Sequence, residues 1–332
     1  MPEGPLHLVR FQPRHHFLAF TVADHRLVFS GGDPLRTETS PEIYAYDWTT
    51  GTEALIARAL DPSASIVAVA AEADTVVFVE TYPAGPAVSR VRAVSARGDV
   101  VLDQLVLDDP TTAAEFRTRI GVPMVALAEG LAVWSSAEAP DAYSLNVQHL
   151  GGGSRVVLRR SREWIGYPRA SHGTVVFSEG LQTRTVWVVK VGSGAPASPL
   201  LSETDVSEPA VWNDSVVMKK AGRDAFDPAG LQLCKVDGTD CEGIVPTSAL
   251  AWEPTIGYRY VVWQGSNDSV PAYDLIARKV VHLAEAEKDG QGRIGVVGRA
   301  AIYGDVIVWL SSPPGDITQT ANLKPVFNLL VP

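Results

Sequence analysis

The chain has 332 residues, 46% of them hydrophobic, and a formal net charge of -10. That hydrophobic fraction is enough for a large core, while 20% charged residues with 28 Gly and 23 Pro suit short strands and tight turns, not long helices. An acidic balance without a basic block excludes sequence-independent nucleic-acid binding, and no apolar run reaches the ~18 residues of a membrane span.

In chain order, the N-terminal stretch through His7 lacks a basic region followed by an apolar one, so no signal peptide is expected. Residues 6–11, LHLVRF, then read as a strand with no partner nearby in sequence. From there a repeat takes over. Its fullest copies are 208–218, EPAVWNDSVVM, and 253–263, EPTIGYRYVVW; its second half returns at 24–29, 74–78, 130–134, 173–177 and 305–309. Each copy is a turn followed by a buried strand ending on Phe29, Phe78, Trp134, Phe177, Met218, Trp263 or Trp309. A unit of this size cannot bury its own apolar face and must stack on its neighbours.

Each copy continues into an alternating strand, such as 43–47 or 186–190, a tight turn, and a fourth strand such as 155–158 or 279–282. The spacing between successive key residues is 49, 56, 43, 41, 45 and 46, the length of a four-stranded propeller blade, about 40–50 residues. The 56-residue interval includes 109–119, read as a short helix capping a blade edge. The expected fold is all-β: a single-domain, seven-bladed β-propeller of four-stranded antiparallel blades. The blades fall near 12–60, 61–108, 109–161, 162–203, 204–249, 250–286 and 287–332. The last lacks a fourth strand, and the segment 6–11 is expected to supply it, closing the edge that would otherwise invite aggregation.

The repeat pattern resembles that of bacterial TolB-type and related β-propeller proteins. Asp47 in YAYDW and Asp274 in YDL stand where that repeat usually has its Asp. The resemblance implies architecture; such rings host binding proteins, lyases, hydrolases and scaffolds.

In such a ring the first strand of each blade lines the central channel. Ten positions before each key residue stand Ala19, Ala68, Met124, Tyr167, Glu208, Glu253 and Arg299. Three are small or apolar and four are polar or charged. Two carboxylates in adjacent blades beside an arginine can bind a polar ligand, or hold one carboxyl protonated for acid–base work. The competing reading makes them solvated rim residues, or plain salt bridges to Arg299 and Arg169. Trp164 and Trp252 suit an aromatic wall for a sugar ring, or packing between blades. Lys219 lies at the start of a polar loop beside Glu208, and Gln264 lies beside Glu253; loops on a rigid scaffold often carry binding residues.

Cys234 and Cys241 flank an Asp-Gly turn, and a hairpin there can bring them within disulfide reach. The alternative is two reduced small hydrophobes. A disulfide implies a secreted or periplasmic protein; without it the chain reads as cytoplasmic. Two Cys without a nearby His fall short of a zinc site, His15 and His16 point to opposite faces of a strand, and no regular calcium loop, P-loop, dinucleotide fingerprint or Gly-x-Ser-x-Gly elbow occurs. No cofactor is expected. The leading functional expectation is a monomeric binding propeller that takes a protein or glycan on its loop-rich face and channel mouth. The alternative is a carbohydrate-active lyase or hydrolase with Glu208 and Glu253 as acid–base pair, Tyr167 as a second proton donor and Arg299 on a substrate carboxylate. A structural interaction module is the third.

Overall fold

The computed structural model describes residues 7–15, 17–32, 39–85, 87–109, 111–113, 123–139, 141–181, 183–201, 205–220, 229–246, 251–265, 269–288, 290, 295–312, 314 and 326–331. These residues form seven four-stranded antiparallel sheets, the blades of a seven-bladed β-propeller. Strand β1 is His7–Phe11. The first blade is β2 (Phe20–Ala23), β3 (Arg26–Gly31), β4 (Glu42–Asp47) and β5 (Thr52–Arg58). The second is β6 (Ser65–Glu72), β7 (Thr75–Thr81), β8 (Ala87–Ser95) and β9 (Gly98–Val106). The third is β10 (Val125–Ala128), β11 (Leu131–Ala139), β12 (Ala142–His149) and β13 (Val156–Ser161), and the fourth β14 (Ile165–Ser171), β15 (Thr174–Glu179), β16 (Thr185–Lys190) and β17 (Ser198–Pro199). The fifth is β18 (Val206–Trp212), β19 (Ser215–Lys220), β20 (Gly230–Lys235) and β21 (Glu242–Val245). The sixth is β22 (Trp252–Ile256), β23 (Tyr260–Gln264), β24 (Ser269–Asp274) and β25 (Lys279–Glu285). The last contains β26 (Val296–Tyr303), β27 (Val306–Ser312) and β28 (Val326–Val331).

As the sequence predicts, β1 completes this last blade, in the order β1-β28-β27-β26. It pairs with β28 from His7 opposite Val331 to Phe11 opposite Phe327, and the two Phe rings stack at 6.3 Å. The expected helix at 109–119 shows one helical turn at 111–113, capped by Asp109, whose Oδ2 accepts the Thr112 amide at 2.8 Å; residues 114–119 lie outside the described set.

The chain divides into two compact units, His15–Thr204 with four blades, and Met1–Arg14 with Asp205–Pro332 with three. Within each, the second strands form the core. Phe29, Phe78, Trp134, Phe177 and Met218 are fully buried, and Trp263 and Trp309 nearly so. Strand β7 runs through five consecutive buried residues and β19 through four. Such strands are covered on both faces, which is why the repeat reads as a continuous apolar run and not an alternation. Burying each of the large side chains stabilises by about 1.5–3 kcal/mol. The outer strands are the exposed ones, as Val100, Val101 and Val156 show.

The strand-one to strand-two connections are mostly two-residue hairpins needing positive φ at the first loop residue. Asp24, Ala73, Glu129, His172 and Asn213 take φ between 45° and 54°, and Gly304 takes 60°. In the four-blade unit, side chains stitch these turns together. Glu72 accepts the Glu129 and Gly130 amides at 2.6 and 2.7 Å, and Glu129 accepts the His172 amide at 2.8 Å. In the three-blade unit the same turns carry an aromatic cluster, with Trp212 edge-on to Tyr258 at 4.9 Å and to Tyr303 at 5.8 Å.

Cys234 in β20 and Cys241, the residue just before β21, are joined as a disulfide with Cα atoms 4.1 Å apart. Closing so short a loop contributes roughly 2–3 kcal/mol through the unfolded chain. Intact-mass measurement of denatured protein is expected to show two unreactive thiols that become alkylatable only after reduction, and Cys234→Ala with Cys241→Ala is expected to lower stability by about that amount. Two alkylated thiols without reductant would contradict the assignment.

Candidate functional site

In three blades the first strand breaks its ladder at the leading position. Register shifts between Gly166 and Arg169, Ser207 and Ala210, and Trp252 and Thr255 leave Tyr167-Pro168, Glu208-Pro209 and Glu253-Pro254 unpaired. Proline has no N–H to give a ladder, so the sequence dictates a bulge there. The residue before each proline is left-handed, with φ of 51°, 51° and 46°. Such a conformation is uncommon for a residue with a Cβ and costs on the order of 1–3 kcal/mol. Where β6 and β26 also slip, between Ile66 and Ala68 and between Gly298 and Ala300, a single residue bulges and no proline follows. That places Arg299 as the bulged residue of β26.

The bulge re-aims the leading amide as well as its side chain. In the three-blade unit the Glu253 N–H donates to Oε2 of Glu208, one blade earlier, at 2.7 Å. The other oxygen of Glu208, Oε1, accepts from Nζ of Lys219 at 3.2 Å. Glu208 and Lys219 are each only 6% exposed. Lys219 belongs to β19 and not to the loop beyond it, and it sits opposite Ser207 in the ladder. Among the described residues Glu208 makes an ion pair with Lys219, the residue read as a loop ligand. Loop residues 221–228, with Arg223 and Asp224, lie outside the described set.

The four-blade unit uses the same position the same way. The Tyr167 N–H donates to Sδ of Met124, the leading residue of the preceding blade, at 3.1 Å. The Tyr167 ring stands edge-on to Trp164 at 5.7 Å. Trp164 is 9% exposed and lies in a core cluster with Ile165 and Phe177, over Gly166, where any Cβ would collide with its ring. The structure thus packs Trp164 inside its unit. The Arg169 guanidinium donates to the Pro168 carbonyl at 2.9 Å. In the three-blade unit, Gln264 stands opposite Trp252 in the ladder rather than opposite Glu253, and both are half-buried.

Asp47 and Asp274 close equivalent turns. Oδ1 of Asp47 accepts the Thr49 and Thr50 amides at 2.8 and 3.2 Å, and Oδ1 of Asp274 accepts the Ile276 and Ala277 amides, both at 2.9 Å. Asp274 is buried, and its Oδ2 also accepts from Arg259 at 2.8 Å. Burial pushes the Asp274 carboxyl up, but the bonds from Arg259 and the two amides outweigh it and hold the pKa below its ordinary 3.8. A pKa lowered by folding gives stability that is present above the unfolded value and lost as pH falls through the folded one. Asp274→Asn is accordingly expected to lower the melting temperature at pH 7, and the gap to wild type is expected to shrink steadily below pH 3.8. A gap that stays constant down to pH 2 would contradict this account.

Sequence reading missed the exchange between leading residues of neighbouring blades. The signal was present: proline follows the leading residue at 168, 209 and 254, and not at 20, 69, 125 or 300. It also missed a cleft between β8–β9 and β11 in the four-blade unit, of about 260 Å³.

Among the described residues no group of three or more His, Cys, Asp or Glu is placed to hold a metal ion, and no helix is long and apolar enough to cross a membrane. No known protein family matches the chain, and no curated protein matches it. Solved structures do. The β-propeller domain of the Trilobed protease from Pyrococcus furiosus aligns over 96% of this chain and 94% of its own, with a TM-score of 0.64 at 7% identity. An oligogalacturonate lyase in complex with manganese aligns over 98% and 96%, with a TM-score of 0.62 at 12% identity. One of two prolyl endopeptidases aligns over 94% of this chain but 50% of its own, with a TM-score of 0.61 at 13% identity. At such identities the likeness is one of fold, and it agrees with the seven-bladed propeller built above.

Proposed function

We propose that this chain is a binding propeller that takes a protein or glycan on the face where the strand-two to strand-three loops emerge. The reading rests above all on Glu208. An acid–base carboxylate needs a free oxygen within reach of its substrate and a proton to exchange. Here one oxygen holds the buried ammonium of Lys219 and the other holds the Glu253 amide. A carboxylate so engaged supports structure instead of proton transfer. The Cys234–Cys241 disulfide favours an oxidising compartment.

The alternative, a carbohydrate-active lyase or hydrolase, draws on the oligogalacturonate lyase that aligns over nearly the whole chain. One experiment separates the two. Wild-type protein is presented with a panel of neutral and uronate oligosaccharides, scoring retention and product together. The binding reading expects saturable retention of a panel member with every oligosaccharide recovered intact. Cleavage of any member by the wild-type protein would overturn it.

A further inference from the structure

The cleft between the second and third blades has the make-up of a binding site for a small organic cation. At about 260 Å³ it is smaller than the pockets of drug-sized ligands, roughly 300–1,000 Å³, and matches one amino-acid side chain or a compound of similar size. Its apolar side is built by Val91, Leu105 and Val106, and its polar side by Asp103, Glu138 and Arg155.

The polar groups are not equally available. Asp103 is spent: it accepts from Trp134 Nε1 at 2.9 Å, from the Ser136 hydroxyl, and from Arg155 at 3.0 Å. Arg155 is spent as well, since its Nε donates to Asn146 at 3.0 Å and its guanidinium lies over the Trp134 ring at 5.7 Å. Glu138 is different. Its side chain is 50% exposed at the rim, Arg155 comes no nearer than 3.9 Å, and one 3.3 Å bond from Ser144 is its sole hydrogen bond among the described residues. One positive and two negative groups leave the cleft with one uncompensated negative charge, and that charge sits on Glu138.

A second observation points into the same space. Ser89 lines the cleft, is 94% buried from a relative exposure of 6%, and makes no side-chain hydrogen bond among the described residues. Its hydroxyl is not among the enclosed unpaired polar atoms, so it is reached by solvent in the cleft and is open to a donor or acceptor from outside the chain.

We infer that this cleft binds an alkylammonium or alkylguanidinium group, with the stem against Val91, Leu105 and Val106, the cationic head on Glu138, and a hydrogen bond to Ser89. A free small amine and a Lys or Arg side chain of a protein share this chemistry. The inference does not depend on the role of the leading-position carboxylates.

The test is a titration followed by backbone NMR, with n-butylamine and n-butylguanidine as probes and n-butanol and butyrate as isosteric controls. Saturable shifts are expected at Ser89, Val106 and Glu138 for both cations, with a Kd of roughly 1 mM for ligands of so few atoms. Glu138→Gln keeps the exposed side chain and its shape, and is expected to weaken cation binding about fivefold. Ser89→Ala serves as a second variant in case the first perturbs the loop, and is expected to weaken it by a similar factor. Added salt is expected to weaken it further. A blocked Ala-Lys-Ala peptide binding as well as butylamine would identify a protein side chain as the natural source. A peptide that fails where the free amine binds would identify a small molecule. No saturable shift with either cation, equal response to the uncharged or anionic controls, or undiminished affinity in both variants would overturn the inference.

Discussion

Removing residues 1–11 is expected to lower the melting temperature of the protein by roughly 7 °C or more. The deleted strand β1 makes an unbroken five-rung antiparallel pairing with β28. A pairing of that length carries about five backbone hydrogen bonds, at a net value of about 1 kcal/mol each. Its loss also uncovers Phe327, Leu329 and Val331, which are now buried. With an unfolding entropy of about 2.1 cal/mol/K per residue, ~5 kcal/mol corresponds to ~7 °C in a chain of this length that unfolds as one unit. The cut also leaves β28 as a bare edge, so the truncated protein is expected to self-associate on heating. Differential scanning calorimetry with light scattering reads both effects. An unchanged melting temperature would show that the last blade is complete without β1.

Glu208→Ala is expected to be the most damaging single substitution among the residues discussed. It leaves the Lys219 ammonium buried without its counter-charge and the Glu253 amide without its acceptor. Removing one partner of a buried ion pair costs about 3–5 kcal/mol, or roughly 4–7 °C on the same entropy scale. The double variant Glu208→Gln with Lys219→Met takes away both charges while keeping an oxygen for the Glu253 amide. It is expected to recover most of the loss, because replacing a buried pair is far less costly than breaking one. A purely catalytic Glu208 would behave differently, since its removal would cost activity and leave stability near wild type.

The framework of this protein was legible because it is repeated. Trp134, Phe177 and Met218 recur at blade spacing, and each is fully buried in the second strand of its sheet. Strand β1 was legible from a vacancy, a seventh repeat with only three strands of its own. The leading position was legible as a list of residues but not as a mechanism. Pro168, Pro209 and Pro254 force a double bulge, and the bulge turns Tyr167, Glu208 and Glu253 into left-handed residues whose amides need an acceptor. Nothing in sequence spacing says that the acceptor stands one blade earlier, 43 residues before Tyr167 and 45 before Glu253.

Lys219 was misplaced because a lysine after Met218 reads as the end of a buried strand. Strand β19 continues through it, and its burial is tolerated because Glu208 is there to receive it. The cation cleft was invisible for a related reason. Asp103 and Arg155 are 52 residues apart and meet only when two blades pack side by side. Local pattern specifies strands and turns; sites built between strands of different repeats depend on contacts that the repeat does not encode.

The claim at the centre of this account is that the leading-position carboxylate joins one blade to the next, and hydrogen exchange at the Glu253 amide tests it most directly. That N–H is outside the β22–β23 ladder, and its acceptor is the Glu208 carboxylate. It is expected to be protected in the wild-type protein to a degree comparable with the ladder amides of Val261 and Val262, and to lose that protection selectively in Glu208→Ala. Exchange of the wild-type Glu253 amide at the rate of a free peptide would contradict the account and return Glu208 to the list of residues available for chemistry.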